Sequence, residues 1–517
     1  MTASRKKSSS QGKPRETFLE TFPRPQRHAR ALFAGYPAAY SVAMSNLGFH
    51  FIYGALARSG RFNVERFFSD TSPMTFESGR PIGDAFALLF SVSYEEDYLG
   101  LVRILIDSGI EPLREKRRGA PLVIAGGPAV SSNPLPLSDI IDVAVLGEGE
   151  EAAKILADLL DEAPDGGGAA LPARLAGLDG FFLPGVEGAR AAFSGERRRD
   201  VFPKSVIITP DTVFSDTMLF ETGRGCAGSC GFCLATALYR PLRFVSPESV
   251  EKALDELKAP VGKAGLVSTA VTAHPRFSEL VELFLQRGIS LGFSSISASG
   301  LDETDARLVA RAGTRSVSLA PESGSEELRI RLGKNVPDQA YFNAVRVLSE
   351  SGIRNIGLYF LTGYPGEDEG AFEKTAVFLE GIRRSAGRAS LTLSVNAMVP
   401  KPWTPLQHYA MPGEGVLRAR MEKMRAIGRK ARIECRVKPL RSSMRQALLS
   451  VGGREIGAAL VMYLSGGVSW KKALLLSGAD PELPFRERGI DGDLPWSAIE
   501  GPCGGAQLLE RYRRMTI

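Results

Sequence analysis

The residues of this chain best suited to chemistry are three cysteines in one short loop. They are Cys226, Cys230 and Cys233, and they lie in the segment FETGRGCAGSCGFC, which ends at Cys233. Thiolates at positions i, i+4 and i+7 of a glycine-rich loop can converge on one small cluster, because glycines let the backbone bend and bring its amides near the sulfur atoms. The pattern therefore predicts a metal centre.

Two kinds of metal centre fit three thiolates. A [4Fe–4S] cluster takes four thiolates, so three leave one iron open, and the amino and carboxylate groups of S-adenosylmethionine (SAM) can chelate that iron. One electron delivered to the sulfonium then gives methionine and a 5′-deoxyadenosyl radical. A structural zinc site is the alternative, but zinc prefers paired C-x2-C elements and a fourth His or Cys. The histidines are all distant from the loop in sequence, at His28, His50, His274 and His408. We therefore favour the iron–sulfur cluster.

The elements that position this loop alternate between strand and helix. Six strand–helix units are predicted between residues 215 and 410, with strands in MLFET, AGLVSTA, SLGFSSIS, SVSLAPES, IGLYFLTG and LTLSVNAMVP. Six units predict a partial (β/α)6 barrel or part of a full one, and the chemistry of such a barrel belongs at the carboxyl ends of its strands. The cysteine loop follows the first strand and so lies at that end.

A second α/β unit precedes the barrel. Residues 30–162 alternate short apolar runs, such as AFALLFSVS and PLVIAGGP, with helical patterns, which predicts a doubly wound parallel sheet that binds ligands at its strand ends. The remaining boundaries follow from composition: a basic disordered tail over 1–29, a linker and connecting segment over 163–210, a core over 211–410, and a basic helical and mixed region over 411–517.

The cysteine loop is similar to the CxxxCxxC signature of the radical SAM superfamily. The resemblance covers about residues 215–410 and includes YFLTGYPGEDE, which is similar to the fifth-strand motif of the family. It implies that Cys226, Cys230 and Cys233 are the catalytic and metal-binding residues, that the cofactors are a [4Fe–4S] cluster and SAM, and that Phe232 packs near the adenine of SAM.

Four further residues resemble positions around SAM. Ser295 and Ser297 resemble polar positions on the ribose side, Glu322 the acidic residue that relatives place near SAM, and Arg329 a partner for its carboxylate. Packing, capping or a surface charge is the alternative role for the two serines and Arg329. The Gly-Gly-Glu element of the family is not obvious, since AGLVSTAVTAHP stands in its place.

The first unit resembles the B12-binding-type domain that precedes some radical SAM barrels. The segment VNAMVPKPWTPLQ is similar to the sixth-strand motif of these relatives, and YPAAYSVAMSNLG resembles an uncharacterised bacterial subgroup of them. IAGGPAVSSNP and VLGEGEE look like the loop motifs of such a domain, in which Gly126 and Gly127 would let the backbone approach a large flat cofactor. Cobalamin is therefore a candidate cofactor. The D-x-H-x-x-G motif that supplies a cobalt ligand is missing, and we expect His50, on the first helix, to be structural.

Composition limits the class of protein. The chain has 517 residues, a formal charge of +6 and five cysteines. It has no apolar run of about 18 residues for a membrane span and no apolar segment behind its basic N-terminus, so we expect no membrane partner and a cytoplasmic location. An odd number of cysteines with one tight cluster argues against a disulfide framework, and we expect the lone Cys435 and Cys503 to be buried side chains.

A basic segment over residues 418–445 bears on the substrate. It contains eleven Lys or Arg residues against Glu422 and Glu434, which indicates either an RNA-binding surface or a solvated helix face. The leading hypothesis is a radical SAM enzyme, with cobalamin-dependent methyl transfer to an unreactive carbon as its candidate reaction. The alternatives are a radical SAM enzyme that modifies RNA without cobalamin and a non-catalytic iron–sulfur redox or scaffold protein. The substrate would be a small molecule or RNA, and the reductant a flavodoxin or ferredoxin.

Overall fold

Two systems of parallel strands follow one another along the chain. The computed structural model describes residues 13–119, 121–162, 170–186, 188–192, 202–293 and 295–516. Residues 1–12 of the predicted tail and parts of the predicted linker lie outside the described residues. The rest of the tail is not all disordered, because Thr17–Phe18 pairs as a short strand with Ile207–Ile208 and Leu19 is buried. No helix of the described chain is long and apolar enough to cross a membrane.

The first system is a doubly wound sheet. Its strands within the described residues are β1 Arg30–Tyr36, β2 Phe62–Phe68, β3 Ala87–Ser91, β4 Leu122–Gly126, β5 Val143–Val145 and β6 Phe181–Phe182. They lie in the order β2-β1-β3-β4-β5-β6, and every neighbouring pair is parallel except β5 and β6. Because the winding direction reverses between β1 and β3, a ligand crevice is expected at their carboxyl ends. The predicted α/β class with a doubly wound parallel sheet is confirmed.

Helices cover both faces of this sheet because successive strand residues point to opposite sides. The helices are α1 Leu47–Ser59, α2 Asp97–Asp107 and α3 Gly149–Glu162. Leu32, Leu89 and Ile124 pack in one core with residues of α1 and α3. Their strand neighbours Phe33, Leu88 and Val123 pack on the other face, with α2 and with helices from the end of the chain.

The second system is an arc of parallel strands that forms the barrel-like part of the chain. Its strands are β7 Met218–Glu221, β8 Lys263–Val267, β9 Ser290–Phe293, β10 Ser316–Glu322, β11 Asn355–Thr362, β12 Ser390–Ala397 and β13 Glu434–Val437. The strands β7 to β9 pair in one sheet and β10 to β13 in a second, and all pairs are parallel. The helices outside the arc are α4 Pro247–Asp255, α5 Phe277–Gln286, α6 Glu303–Arg311, α7 Glu326–Arg331, α8 Asp338–Glu350, α9 Glu369–Ser385 and α10 Glu414–Lys430.

One strand of the arc lies where the sequence predicted only a basic helical segment. The six predicted strands correspond to β7 to β12, and β13 is a seventh strand that pairs with β12. Its residues alternate, so that Glu434 and Arg436 are exposed while Cys435 and Val437 are half-buried against the barrel core. The strand was missed because it is short and half of its residues are charged, which hides the apolar pattern.

The end of the chain connects the two systems. Helices α11 Leu440–Val451, α12 Glu455–Leu464 and α13 Trp470–Leu476 pack on the first sheet, and α14 Gly505–Thr516 returns to the cysteine loop. Asn133, which follows the loop after β4, donates hydrogen bonds from Nδ2 to the carbonyl oxygens of Ser450 (3.0 Å) and Gly452 (2.8 Å). Since both acceptors belong to the end of the chain, this region holds the first sheet against the barrel.

A buried polar network also joins the two systems. Glu95, just before α2, pairs with Lys401 of the loop after β12 and accepts a hydrogen bond from Gln446 Nε2 at 3.0 Å. Burial alone would raise the pKa of Glu95, but the Lys401 ammonium outweighs it and holds this pKa below its usual range. The neighbouring Glu96 binds Arg445. The acidic run at the start of α2 therefore contacts the barrel as well as the helix dipole.

Lys401→Met should destabilise the protein because it leaves the buried Glu95 carboxylate without its cation. We expect the free energy of unfolding to fall by about 3 kcal/mol, measured as a shift of the urea midpoint at constant slope. The double variant Glu95→Gln/Lys401→Met should recover most of this loss. Lys430→Met, which removes an exposed cation 3.9 Å from Glu380, is the matched control and should change stability by under about 0.5 kcal/mol. Equal effects of the two single variants would contradict the role of the network.

Candidate active site

The cysteine loop follows β7 and ends in a helical turn, Leu234–Leu238, for which Cys233 is the N-cap residue. Gly225 begins the loop with φ of +89°, and a Cβ atom there would collide with the carbonyl oxygen of Tyr239. Gly228 donates its backbone N–H to Cys226 Sγ at 3.3 Å, and the sulfur atoms of Cys226 and Cys230 both lie beside its Cα. The glycines therefore bring the backbone amides to the sulfurs.

The three thiols form one electrostatic group. Burial raises the pKa of Cys230 to about 11; Lys334 opposes this shift, and negative charge on Cys233 and Cys226 adds to it. Burial also raises the pKa of Cys233, against the amides of Thr236 and Ala235. Metal binding requires the thiolates, and three thiolates so close together need a positive centre between them. The donor set thus fits an iron–sulfur cluster.

Within the described residues, no three His, Cys, Asp or Glu side chains are placed to hold a single metal ion. A [4Fe–4S] cluster binds each thiolate through a different iron. The preference for such a cluster over the zinc alternative comes from the spacing of the three cysteines along the loop.

Two distant segments hold the loop in place. Ser229 Oγ donates to the carbonyl oxygen of Gly333 at 3.0 Å, and the Ser229 carbonyl oxygen accepts from Arg511 Nη2 at 2.7 Å. Met515, one turn further along α14, packs against Gly231. The C-terminal helix therefore covers the cysteine loop, which no pattern in the sequence indicated.

Phe232 and Glu322 lie beside the thiols. The Phe232 ring contacts that of Tyr364 with centroids 5.5 Å apart. Tyr364 is buried, its hydroxyl has no hydrogen-bond partner within the described residues, and the charges of Glu322, Cys230 and Cys233 all act on its pKa. Glu322 ends β10 with φ of +69° and lies 3.5 Å from Lys334 Nζ. Burial raises the pKa of Glu322, and Lys334 opposes that shift. An orphaned hydroxyl and a charge pair beside the thiols are features of a ligand site.

Ser295 and Ser297 lie at the carboxyl end of β9, where their bonds join the loops after β8 and β9. Ser295 Oγ donates to the carbonyl oxygen of Thr269 at 3.1 Å. The Ser297 backbone N–H donates to Thr272 Oγ1 at 3.3 Å, and Ser297 Oγ accepts from the Ser299 N–H at 3.2 Å. The structure places both at the predicted edge of the barrel, in contacts that also shape these loops.

Arg329 corrects one sequence-based assignment. Its side chain is fully buried, with Nη1 donating to the carbonyl oxygen of Ser323 at 2.8 Å and Nε to that of Val336 at 3.2 Å. Its Nη2 binds the Asp338 carboxylate. Since these partners occupy the guanidinium from all sides, Arg329 is a packing residue and is not free to bind the carboxylate of SAM. Lys334, five residues further on, is a cation whose charge acts on the Cys230 thiol.

A cavity of about 470 Å³ lies between the two systems of strands. Gly126 and Gly127, at the end of β4, line it, and the positive φ of Gly127 lets its Cα come so close that a Cβ atom would lie 2.5 Å from the Val92 carbonyl oxygen. Gly225 and Tyr239 line the opposite side, beside the cysteines. The cavity therefore borders the strand ends of the first sheet and the cysteine loop at once.

A buried charge cluster closes one side of this cavity. Glu148 is buried, and its carboxylate binds Arg243 and lies 3.3 Å from Arg224 Nη1. Arg224 also binds Glu150 at 2.6 Å and Glu221 at 2.7 Å. These side chains come from the loop after β5, the start of α3, the end of β7 and a hairpin around the cysteine loop. In this hairpin Gly223–Arg224 pairs antiparallel with Arg243–Phe244. The sequence motif VLGEGEE did not indicate this charge cluster, because the arginine partners of Glu148 lie more than 70 residues away along the chain.

His50 is structural, as expected. Its Nε2 lies 2.9 Å from the Met44 carbonyl oxygen and its Nδ1 3.4 Å from the backbone nitrogen of Val206. Both ring nitrogens are therefore engaged by the backbone. No histidine among the described residues lines the cavity.

Family comparisons agree with this geometry. A model of the N-terminal part of radical SAM proteins matches residues 48–184, and the model of the radical SAM superfamily matches residues 220–379. The chain belongs to the radical SAM superfamily. This radical SAM enzyme is 26% identical over 384 residues to an uncharacterised protein of Methanocaldococcus jannaschii, covering 72% of the chain and 78% of the relative. It is 24% identical over 330 residues to an uncharacterised methyltransferase of Pyrococcus horikoshii, covering 59% of the chain and 66% of the relative.

Solved structures share its fold. The radical SAM methyltransferase TsrM from Kitasatospora setae, with cobalamin and a [4Fe–4S] cluster bound, matches with a TM-score of 0.51 at 16% identity, over 74% of this chain and 77% of TsrM. The cobalamin-dependent SAM radical enzyme OxsB, with aqua-cobalamin bound, matches with a TM-score of 0.50 at 17% identity, over 68% of this chain and 52% of OxsB. The predicted α/β fold with parallel sheets is confirmed, and it is similar to the fold of these cobalamin-binding radical SAM enzymes.

The buried His50 should make stability depend on pH. Burial lowers the pKa of His50 to about 4 from an ordinary 6.5, so protons bind the unfolded chain first as the pH falls. The contribution of neutral His50 to the free energy of unfolding is complete above pH 6.5 and is lost as the pH falls toward 4. Between pH 7 and 5 we expect about 2 kcal/mol of unfolding free energy to be lost through this residue.

His50→Gln should therefore flatten the dependence of the urea midpoint on pH between 7 and 5. The exposed His28 is the matched control, and His28→Gln should keep the wild-type dependence. Identical pH profiles for the two variants would contradict the assignment.

Proposed function

We propose that this radical SAM enzyme holds a [4Fe–4S] cluster on Cys226, Cys230 and Cys233 and binds cobalamin in the cavity beside them. Its reaction is then the cobalamin-dependent transfer of a methyl group to an unreactive carbon. The observation that carries this proposal is the shared cavity. Residues that flank the cysteines, Gly225 and Ala235, line the same space as Gly126 and Gly127 of the first sheet.

The residues of the cavity fit cobalamin. Its deep part is apolar and lies between the first sheet and the helices α1 and α3, with the lining side chains Leu56, Leu89, Ile124, Val145 and Leu156. Such a slot suits the nucleotide tail of a large cofactor, while the glycines after β4 leave room for a flat ring.

When bound, the cluster supplies the electron that cleaves SAM, and cobalamin supplies a methyl group for transfer. The chain's own residues hold and orient these groups. Glu322 and Lys334 carry opposite charges 3.5 Å apart beside the thiols, so they suit the ammonium and carboxylate of the SAM amino acid moiety. Phe232 and Tyr364 form an apolar wall there. The helix α14 covers one side of the loop through Arg511 and Met515.

The alternative of RNA modification loses its original support. Within the basic segment 418–445, Arg420 binds Glu367, Lys423 binds Glu369 and Arg445 binds Glu96. These acids come from other parts of the chain and neutralise charge that the sequence left unopposed. These three residues of the segment therefore form an intramolecular contact surface, whereas the side chain of Arg432 in the same segment forms no ion pair within the described residues. A flavodoxin or ferredoxin remains our proposed reductant.

Cofactor content separates the two proposed sites. In protein purified and reconstituted anaerobically, Cys230→Ala should lose iron but keep bound cobalamin. Ala153→Phe should do the opposite, because Ala153 of α3 lines the cavity and a phenyl ring would fill part of it. Iron and cobalt per chain, by metal analysis, are the measurement. Iron near four per chain is expected where the cluster is intact.

Activity then tests the reaction. Wild-type enzyme with SAM and dithionite should cleave SAM, whereas Cys230→Ala should release no product above background. An intact cluster without SAM cleavage would overturn the proposed activity. Wild-type protein that binds iron but no cobalamin would remove methyl transfer and leave the radical SAM assignment standing.

A further inference from the structure

Four arginines lie at the amino ends of four adjacent parallel strands. Arg315 precedes β10 directly, Arg354 precedes β11, and Arg388 and Arg432 each stand two residues before β12 and β13. We call these four residues the arginine row. Because neighbouring strands lie about 4.8 Å apart, the row spans about 15 Å along one rim of the barrel.

Backbone hydrogen bonds fix the spacing of the row. The Arg354 N–H donates to the Arg315 carbonyl oxygen at 2.9 Å, and the Ser390 N–H donates to the Arg354 carbonyl oxygen at 2.8 Å. The pairing of Thr392 with Glu434 places Arg432 level with Ser390. The row is therefore built on the sheet itself rather than on a loose loop.

The row borders a groove of about 850 Å³ without acidic lining. The groove is lined by Arg307 and Arg311 of α6 as well as by three members of the row, and no carboxylate is among its described lining residues. Arg307 and Arg311 are paired with Glu303 and Glu282. In contrast, the exposed side chains of Arg354, Arg388 and Arg432 form no ion pair or hydrogen bond within the described chain.

We propose that the arginine row binds the phosphodiester backbone of a nucleic acid. The guanidinium group presents a fork of donors that matches a phosphate in a bidentate way, which a lysine does not. A nucleic acid strand offers such charges every few ångströms, in keeping with a row of cations at strand spacing. No aromatic side chain is among the described residues that line the groove. These residues therefore offer bases no stacking surface, and binding is independent of base sequence.

The same observations disfavour a protein partner. Protein interfaces are built around an apolar and often aromatic core, whereas the only apolar residues lining the groove are the buried Ala310, Ile353 and Ala389. The groove is also too far from the cysteine loop to be the binding site of a protein that donates electrons. The eight residues of β11 put the rim about 25 Å from the strand ends that carry the cysteine loop. The row therefore anchors a part of a long polyanion that is remote from the reacting atom.

Binding of labelled 20-nucleotide RNA and DNA of one mixed sequence tests the proposal, by fluorescence anisotropy with the full chain between 50 and 200 mM salt. Arg354→Gln/Arg388→Gln should weaken binding of both at least about tenfold and lower the slope of log K against log salt by about 1 to 2. The matched control is Arg418→Gln/Arg514→Gln, which removes two exposed arginines that are each paired with a glutamate four residues earlier. It should stay within about twofold of wild type. Arg354→Lys/Arg388→Lys should restore part of the affinity.

Three results would overturn the proposal. The first is that the wild-type protein binds neither RNA nor DNA at 50 mM salt. The second is that the two glutamine double variants lose the same amount of affinity. The third is displacement of RNA by polyglutamate as efficiently as by inorganic polyphosphate, since the row would then serve acidic proteins equally. Stronger binding of RNA than of DNA would identify RNA as the source of the phosphates. Cys230→Ala should bind nucleic acid as the wild type does. The outcome of this test is therefore independent of the cofactor sites.

Discussion

The carboxylate of Glu148 lies buried between the two systems of strands, where the guanidinium groups of Arg224 and Arg243 contact it. A buried carboxylate is costly unless it is paired, so the first sheet is stable in this form only when the hairpin that carries Arg224 and Arg243 is docked against it. That hairpin leads directly into and out of the cysteine loop. One charge contact thus fixes the distance between the cavity and the thiols, on which any chemistry shared between them depends.

The C-terminal helices also hold the first sheet and the cysteine loop in this relative position. Helices α11 to α13 complete the core on one face of the first sheet, while α14 lies on the cysteine loop through Arg511 and Met515. A single covalent segment therefore contacts both halves of the site. Since the loop after β12 also inserts Trp403 beside Ser132, with Nε1 donating to its carbonyl oxygen at 2.9 Å, the two halves are held from several sides and the cavity is a preformed space.

Whether a basic side chain of this protein is paired with an acid depends more on its neighbours in the folded structure than on its neighbours in the sequence. The densest run of Lys and Arg faces carboxylates from α9 and from the start of α2, whereas the arginines of the row are scattered over more than a hundred residues. Parallel strands bring the row together because each strand begins at the same rim. A count of charges along the chain finds the first group, which includes Arg432. It misses the row as a whole, although the side chains of Arg354, Arg388 and Arg432 form no ion pair within the described residues.

The sequence by itself determined the family, the alternation of strands and helices, and the three cysteines, because local spacing and periodicity carry that information. It also placed Gly126, Gly127, Phe232 and Glu322 at strand ends or beside the cysteines. Only the tertiary structure decided that Arg329 is consumed by Ser323 and Asp338, that the charge of Lys334 acts on the Cys230 thiol, that Glu148 joins the two halves, and that β13 extends the arc. These outcomes depend on which side chains, distant in sequence, come close enough in the folded chain to share a hydrogen bond or a buried charge. Local sequence patterns do not show which residues meet in this way.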